Sequence, residues 1–324
     1  MQLHGIHHIT AVTAKIGENA AFYTQFLGLR LVKKSVNQDD VSAYHLFYAD
    51  KVGSPGTDMT FFDWPQIGPN RRGTDSIMTT AFRVNGRDAL QYWIARFDDQ
   101  GVDHHGLERF AGRDMVRFAD PEGQRLALVD DGGAPYEGEL WDGSDIPVAF
   151  AIRGFYAAIL SVPRLAAVEP ILTRLLQFSE AGRADYPGGR ETVIYTMDDG
   201  GPGRELWVME EPDQPIARLG AGGVHHIAFR VANQDEQRYW HQQISDVRLP
   251  ISGFIDRYYF KSIYFRISNG ILFEIATDGP GFATDESLES LGERLALPPF
   301  LEPQRAQIEA GLKPIAMPQT QEAA

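Results

Sequence analysis

Four of the nine histidines in this 324-residue chain sit in two near-copies of one hexapeptide, GIHHIT at 5–10 and GVHHIA at 223–228. Neutral imidazole is the commonest metal ligand and the side chain best suited to moving protons near neutral pH. A carboxylate stands out as well. Glu274 lies in the apolar run LFEIA, where its burial is costly unless it is paired or bound to a metal. There is no cysteine, which excludes disulfides, thiolate metal sites and cysteine nucleophiles. The chemistry on offer is therefore that of nitrogen and oxygen donors. The ordinary reading of a lone HH dipeptide is a partly exposed strand or turn pair. His104 and His105, in GVDHHGLERF between two glycines, fit that reading and are expected at the surface.

The elements that would position these residues repeat. HHITAV at 7–12 aligns with HHIAFRV at 225–231; AFRV recurs in MTTAFRV at 78–84, and FYAAILSV at 155–162 is a fourth copy. Each copy has the β-branched and aromatic content of a strand. Each is followed by a segment with helical spacing, such as RDALQYWIARF with Leu90, Trp93, Ile94 and Phe97 on one side. Pro170 is expected near a helix start. Strand-like segments broken by turns come next, among them LRLVKKSV, AYHLFYAD and TDMTFFDW in the first unit and DVRLPISGFI, SIYFRIS and ILFEIATD in the last. The chain thus reads as four β-α-β-β-β units, an α+β fold. Units at about 4–66 and 74–131 make an N-terminal half (1–134), and units at about 151–212 and 221–280 make a C-terminal half (151–280). The turn-rich stretch 135–150 reads as a linker. Residues 281–324 read as a helical extension of one or two short helices, with AMPQTQEAA at its end expected to fray.

Composition narrows the partners. A net charge of −14 disfavours nucleic acid and anionic membranes through long-range repulsion. No apolar run approaches a membrane span. The start, MQLHGIHHIT, lacks a basic region followed by an apolar stretch, so a cytoplasmic protein is expected. A homo-oligomer stays open. GAGGVHH at 220–226 is followed by a strand rather than a helix, which argues against nucleotide binding.

The repeats, with HHIT near the N-terminus, YHLFYADKVGSPGTDMTFF, VHHIAFRV, and DRYYFKSIYFR followed by GILFEIATD, resemble the vicinal oxygen chelate superfamily. Within it they resemble the hydroquinone ring-cleaving dioxygenases, of the chlorohydroquinone dioxygenase kind. The resemblance runs from about residue 4 to 280. It implies that units pair into two cupped, barrel-like sheets, and that metal ligands come from the first and last strands of each unit. The first-strand positions are His8, Thr79, Ala157 and His226. The last-strand positions, counted from the glycine before each strand, are Thr60, Ala127, Trp207 and Glu274. Only His8, His226 and Glu274 are good ligands, so units one and four are expected to share one metal and units two and three to pair without one. On a strand, neighbouring side chains point to opposite faces; His8 and His226 then point into the cup, and His7 and His225 toward the helices.

Two histidines and a carboxylate suit non-haem Fe(II) with open positions, and Mn(II) fits the same donors. The superfamily's isomerases use four protein ligands, and Thr60 would be a poor fourth. The resemblance further implies a small aromatic substrate and O₂, catalytic roles for Tyr264, Arg257 and His225, and substrate contacts by His7 and Thr10. Strand alternation and the resemblance disagree over His7 and His225. Arg257 has a rival reading as a surface ion pair with Asp256, Tyr264 as a core tyrosine, and His45 as structural. A glyoxalase-like isomerase or thiol transferase, and a non-enzymatic binding protein on the same fold, are the alternative functions.

Overall fold

The computed structural model describes residues 1–267 and 270–315; the expectation of fraying at 316–324 lies outside the described residues. Unit one comprises β1 (Ile6–Thr13), α1 (Ile16–Ala21), β2 (Arg30–Asn37), β3 (Asp40–Ala49) and β4 (Asp58–Asp63). Unit two has β5 (Ser76–Val84), α2 (Gly86–Gln100), β6 (His104–Phe110), β7 (Arg113–Ala119) and β8 (Arg125–Asp130). Unit three has β9 (Phe155–Val162), α3 (Leu165–Pro170), β10 (Ser179–Tyr186), β11 (Arg190–Thr196) and β12 (Glu205–Glu210). Unit four has β13 (Gly223–Val231), α4 (Gln234–Asp246), β14 (Ile255–Asp256), β15 (Lys261–Arg266) and β16 (Leu272–Thr277). Among the described residues, no helix is long and apolar enough to cross a membrane.

Two eight-stranded sheets result. One runs β14-β15-β16-β13-β1-β4-β3-β2, the other β10-β11-β12-β9-β5-β8-β7-β6. Units one and four therefore share a sheet through the antiparallel pair β1–β13, and units two and three through β5–β9. Each sheet takes one unit from each half of the chain. The glycine before each unit's last strand has positive φ in all four, Gly56 at 95°, Gly123 at 84°, Gly203 at 79° and Gly270 at 92°, a conformation that excludes most side chains. This is why one glycine recurs at one place in each repeat.

The largest core joins the outward faces of the first strands (Ile9, Ala11, Ile227, Phe229) to helix residues such as Tyr23, Trp93, Phe97 and Trp240. α1 and α3 each widen into a π-helical stretch, Phe22–Phe26 and Ile171–Leu175. Pro170 accordingly sits inside a helix rather than near its start. It is tolerated where the helix leaves the i→i−4 pattern anyway, since α1 widens at the same place without a proline. Of the strand expected over DVRLPISGFI, only Ile255 lies in the two-residue β14. Pro250 offers no donor to a ladder, and Gly253 weakens a strand.

The described part of the C-terminal extension, residues 281–315, is mostly irregular. It holds short 3₁₀ turns at Phe282–Thr284 and Glu302–Gln304 and one α-helix, α5 (Arg305–Gly311). Its middle runs along β2, an edge strand. Leu295 bridges Lys34, the Ala296 N–H donates to the Lys34 carbonyl, and the Ser35 hydroxyl donates to the Ala296 carbonyl. An irregular strap thus covers an edge that would otherwise be open to pairing. Lys33 fixes it: the wholly buried ammonium lies 2.7 Å from Asp285 and also bonds Glu286, whose side chain is equally buried. Lys33→Ala would leave the buried Glu286 carboxylate with only the longer ion pair to Arg294 at 3.5 Å, and removal of one partner of a buried pair costs about 3–5 kcal/mol. The expected result is a lower urea midpoint for Lys33→Ala. A midpoint unchanged from the parent would mean that the strap is not anchored there.

Candidate metal centre and cavity

His8 lies on β1, His226 on β13 and Glu274 on β16, three strands that lie side by side in the shared sheet. His226 pairs with Thr10 across β1–β13, and Glu274 pairs with Ala228 across β13–β16. All three side chains are buried, with Glu274 wholly so. Their ligand atoms lie within 4.8 Å of one another. His8 Nε2 and His226 Nε2 stand 3.2 and 2.9 Å from Glu274 Oε2, and 3.4 Å from each other. Glu274 Oε1 accepts from the Ser262 hydroxyl at 2.5 Å, whereas Oε2 is buried without an aligned hydrogen bond. Three donor atoms aimed at one point, one of them a buried oxygen left unsatisfied, fit a bound cation. Burial pushes the Glu274 carboxyl up, but His8 and His226 outweigh it and hold the carboxyl well below its usual range.

The register of the last strands makes the eight sequence positions equivalent. Thr60 pairs with Thr10, Glu274 with Ala228, Ala127 with Ala81 and Trp207 with Ile159. Each partner is two residues beyond the first-strand position. The second cup holds no such donor set among the described residues. It is filled by Phe110, Met115, Tyr156, Ala157, Ile159 and Trp207, and the Trp207 indole donates to Glu205 at 2.7 Å.

His7 and His225 are not on the cavity wall. Each sits behind the histidine that follows it: His7 Nδ1 lies 2.9 Å from His8 Nδ1, and His225 Nδ1 lies 2.7 Å from His226 Nδ1. An imidazole offering its Nε2 lone pair carries its hydrogen on Nδ1 and donates it to the neighbour, which fixes the tautomer and the ring. The structure thus places His7 and His225 against the two ligand histidines, and neither is among the residues that line this cavity. The reason is local: β1 slips in register against β13 on both sides of His8. His7 is drawn against the His8 and Phe260 rings, while half-buried His225 stands edge-on to Phe62 and Trp64. Burial lowers the pKa of both, that of His225 to about 3 with His226 as the second cause, so both are neutral. His104 and His105 lie far along the other sheet on β6, with His104 paired to Asp98.

Thr10, Arg257 and Tyr264 do line the cavity, with His45, Phe47, Phe62 and Phe260. Tyr264 pairs with Glu274 across β15–β16, and its ring meets the His226 ring edge-on at 5.8 Å. Arg257 Nε donates to the Tyr264 hydroxyl at 3.2 Å. Its two terminal nitrogens donate to Asp39 at 3.2 and 2.9 Å, and Gln38 donates to its carbonyl at 2.9 Å. The rival reading paired Arg257 with Asp256; its partner is instead Asp39, in the β2–β3 turn of unit one, beside Gln38 on the cavity wall. Asp39 was not visible as a site residue in the sequence, because only the pairing of units one and four brings it there. Burial and the charge on Glu274 keep the Tyr264 phenol protonated well above its ordinary value, against the pull of Arg257.

The sequence profile of the Glyoxalase/Bleomycin resistance protein/Dioxygenase superfamily matches residues 5–128. A Bacillus subtilis (strain 168) protein named "Putative ring-cleaving dioxygenase MhqA" is 48% identical over 315 residues, 97% of this chain and 100% of that protein. The chain belongs to this superfamily. Its ring-cleaving relatives include the Chlorohydroquinone/hydroquinone 1,2-dioxygenase of Sphingobium indicum, 30% identical over 311 residues and 93% of each chain. Among solved structures, one described as a "putative dioxygenase" of Bacillus subtilis superposes with a TM-score of 0.88 at 35% identity, covering 98% of this chain and 99% of that one. Glyoxalase I of Zea mays superposes at 0.61 with 12% identity, covering 85% and 92%, which is a likeness of fold alone. Within the superfamily's paired-unit plan, this chain keeps one cup open with nitrogen and oxygen donors and packs the other with side chains.

Proposed function

We propose that the protein is a non-haem Fe(II)-dependent ring-cleaving dioxygenase, acting in the cytoplasm on a hydroquinone or catechol-type ring. The observation that carries this reading is the convergence of His8, His226 and Glu274 in a chain whose relatives are named for ring cleavage. Two imidazoles and one carboxylate leave positions open for further ligands. A bound ferrous ion would supply those positions to a ring hydroxyl and to O₂, and would carry electrons between them.

The residues of the chain do the rest. His7 and His225 hold the two ligand imidazoles in the tautomer that presents Nε2. Phe47, Phe62 and Phe260 give the cavity an apolar wall that suits a flat ring and limits water. Tyr264, held protonated, offers a proton to a ring oxygen, and Arg257 sets a positive charge beside it. Thr60, the fourth position that a glyoxalase-like isomerase would need as a ligand, is engaged in hydrogen bonds to His45 and Thr10 at 2.9 Å each, which favours open-site oxygen chemistry over that alternative. Mn(II) fits the same donors and is the natural comparison.

The test is anaerobic loading with Fe(II) or Mn(II), followed by oxygen uptake with a panel of hydroquinones and catechols. The expected result is one metal per chain and one O₂ consumed per ring opened. A fully loaded protein that consumes no O₂ with any member of the panel would overturn the reading in favour of an isomerase or transferase.

A further inference from the structure

A hydrogen-bonded chain crosses three neighbouring strands on the inner face of the cup. His45 Nε2 on β3 lies 2.9 Å from Thr60 Oγ1 on β4, which donates to Thr10 Oγ1 on β1 at 2.9 Å. The polarity of this chain is determined. Thr60 has one hydroxyl hydrogen and gives it to Thr10, so from His45 it can only accept. His45 is therefore the Nε2–H tautomer. Its ring is clasped by Phe47 and Phe62, with centroids 4.0 and 4.4 Å away. Burial, with His8 and His226 nearby, lowers its pKa well below the usual value, so it stays a neutral donor. Thr10 then accepts from Thr60 and keeps its own hydrogen. Among the described residues no protein atom accepts that hydrogen, and Thr10 lines the cavity.

We propose that His45, acting through Thr60, is a positioning residue that makes the Thr10 hydroxyl a hydrogen-bond donor to an oxygen of the ring substrate. The inference rests on the ring-cleaving reading for the identity of the ligand, but not for the direction of the chain. It assigns a selectivity. An anionic phenolate oxygen accepts the Thr10 hydrogen well, whereas an aromatic amine nitrogen accepts it poorly. The site should prefer dihydroxy rings to aminophenols, and His45 and Thr60 should set that preference without touching the ring.

The experiment uses the full chain loaded anaerobically with Fe(II) and 4-nitrocatechol as a phenolate probe, whose ionisation is read by absorbance. Thr60→Val keeps the shape and breaks the chain; Thr60→Ser restores it. His45→Phe breaks it from the other end. Thr60→Val leaves the Thr10 hydroxyl in place but removes the neutral hydrogen bond that orients it, so it should weaken probe binding about threefold to tenfold and raise the pH at which the bound probe ionises. Thr60→Ser should recover most of that loss. His45→Phe combined with Thr60→Val should be no worse than either alone, because both cut the same chain. In turnover, the ratio of kcat/KM for a hydroquinone over the matching aminophenol should fall in Thr60→Val. Binding within twofold of the parent in Thr60→Val, no recovery in Thr60→Ser, or a parent protein that binds no phenolate would each overturn the proposal. A parent that binds the probe with these variant effects, yet consumes no O₂ with any ring, would leave the chain standing and remove the dioxygenase reading instead.

Discussion

His226→Ala is expected to lose metal retention and ring cleavage together. Two donors would remain, His8 on β1 and Glu274 on β16, and a small side chain cannot replace the Nε2 that stands 2.9 Å from the carboxylate. Removal of an outer partner of a metal ligand costs about 10–100-fold in affinity or activity; removal of the ligand itself should exceed the upper end of that range. His7→Ala and His225→Ala, which act behind the ligands, should fall within it. Stability gives a readout that is independent of turnover. Metal at a hundredfold excess over its dissociation constant stabilises a folded protein by about 2.7 kcal/mol, so melting temperature should rise with metal in the parent and not in His226→Ala. His104→Ala is the control, since that histidine lies on the other sheet and pairs with Asp98. A variant lacking His226 that still holds one metal per chain and cleaves rings at the parent rate would refute the triad.

The triad was legible because the repeat supplied the register. His8, His226 and Glu274 are at matched positions of units one and four, and a period of two residues along a strand decides which of two adjacent histidines faces inward. Unit pairing followed from the same count, since Ala157, Ala127 and Trp207 left units two and three without donors. What lay beyond the repeat was not legible. Strand alternation sent His7 and His225 toward the helices and family likeness sent them to the pocket; the register slips beside His8 place them behind the ligands, where neither rule looks. Asp39 and Arg257 are separated by most of the chain and meet only because β2–β3 of unit one and the β14–β15 segment of unit four flank the same cup. His45 and Thr60 are on adjacent strands whose relative register no local pattern reports. The extension was read as one or two short helices and does hold α5, but the bonds that tie residues 289–296 to β2 follow no periodicity that a sequence could reveal.

Tyr264→Phe is expected to lower kcat by about a hundredfold to ten-thousandfold, the range for a positioned proton donor, with metal content unchanged. The change removes one oxygen and leaves the ring against His226, so the triad keeps its neighbour. Arg257 loses the acceptor for its Nε but stays fixed by two bonds to Asp39 and by the Gln38 bond to its carbonyl. The loss should therefore fall on kcat rather than on KM, since the cavity and its charge are preserved. Its pH dependence follows from the direction of the phenol's shift. Burial first, and the Glu274 charge second, raise the Tyr264 pKa above the ordinary value; burial, the larger cause, persists when a cation offsets the carboxylate, so the phenol is the protonated form from mildly acid to mildly alkaline pH. The ratio of parent to variant rates should thus stay constant from mildly acid to mildly alkaline pH, whereas a tyrosine acting as an ionised base would give a ratio that climbs with pH. Arg257→Lys separates the two residues: an ammonium keeps the charge but cannot fork to Asp39 while also donating to Tyr264, so it should loosen the phenol and raise KM as well as lower kcat. A Tyr264→Phe protein with the parent kcat would take the phenol out of the reaction and leave Arg257 as the donor facing the ring.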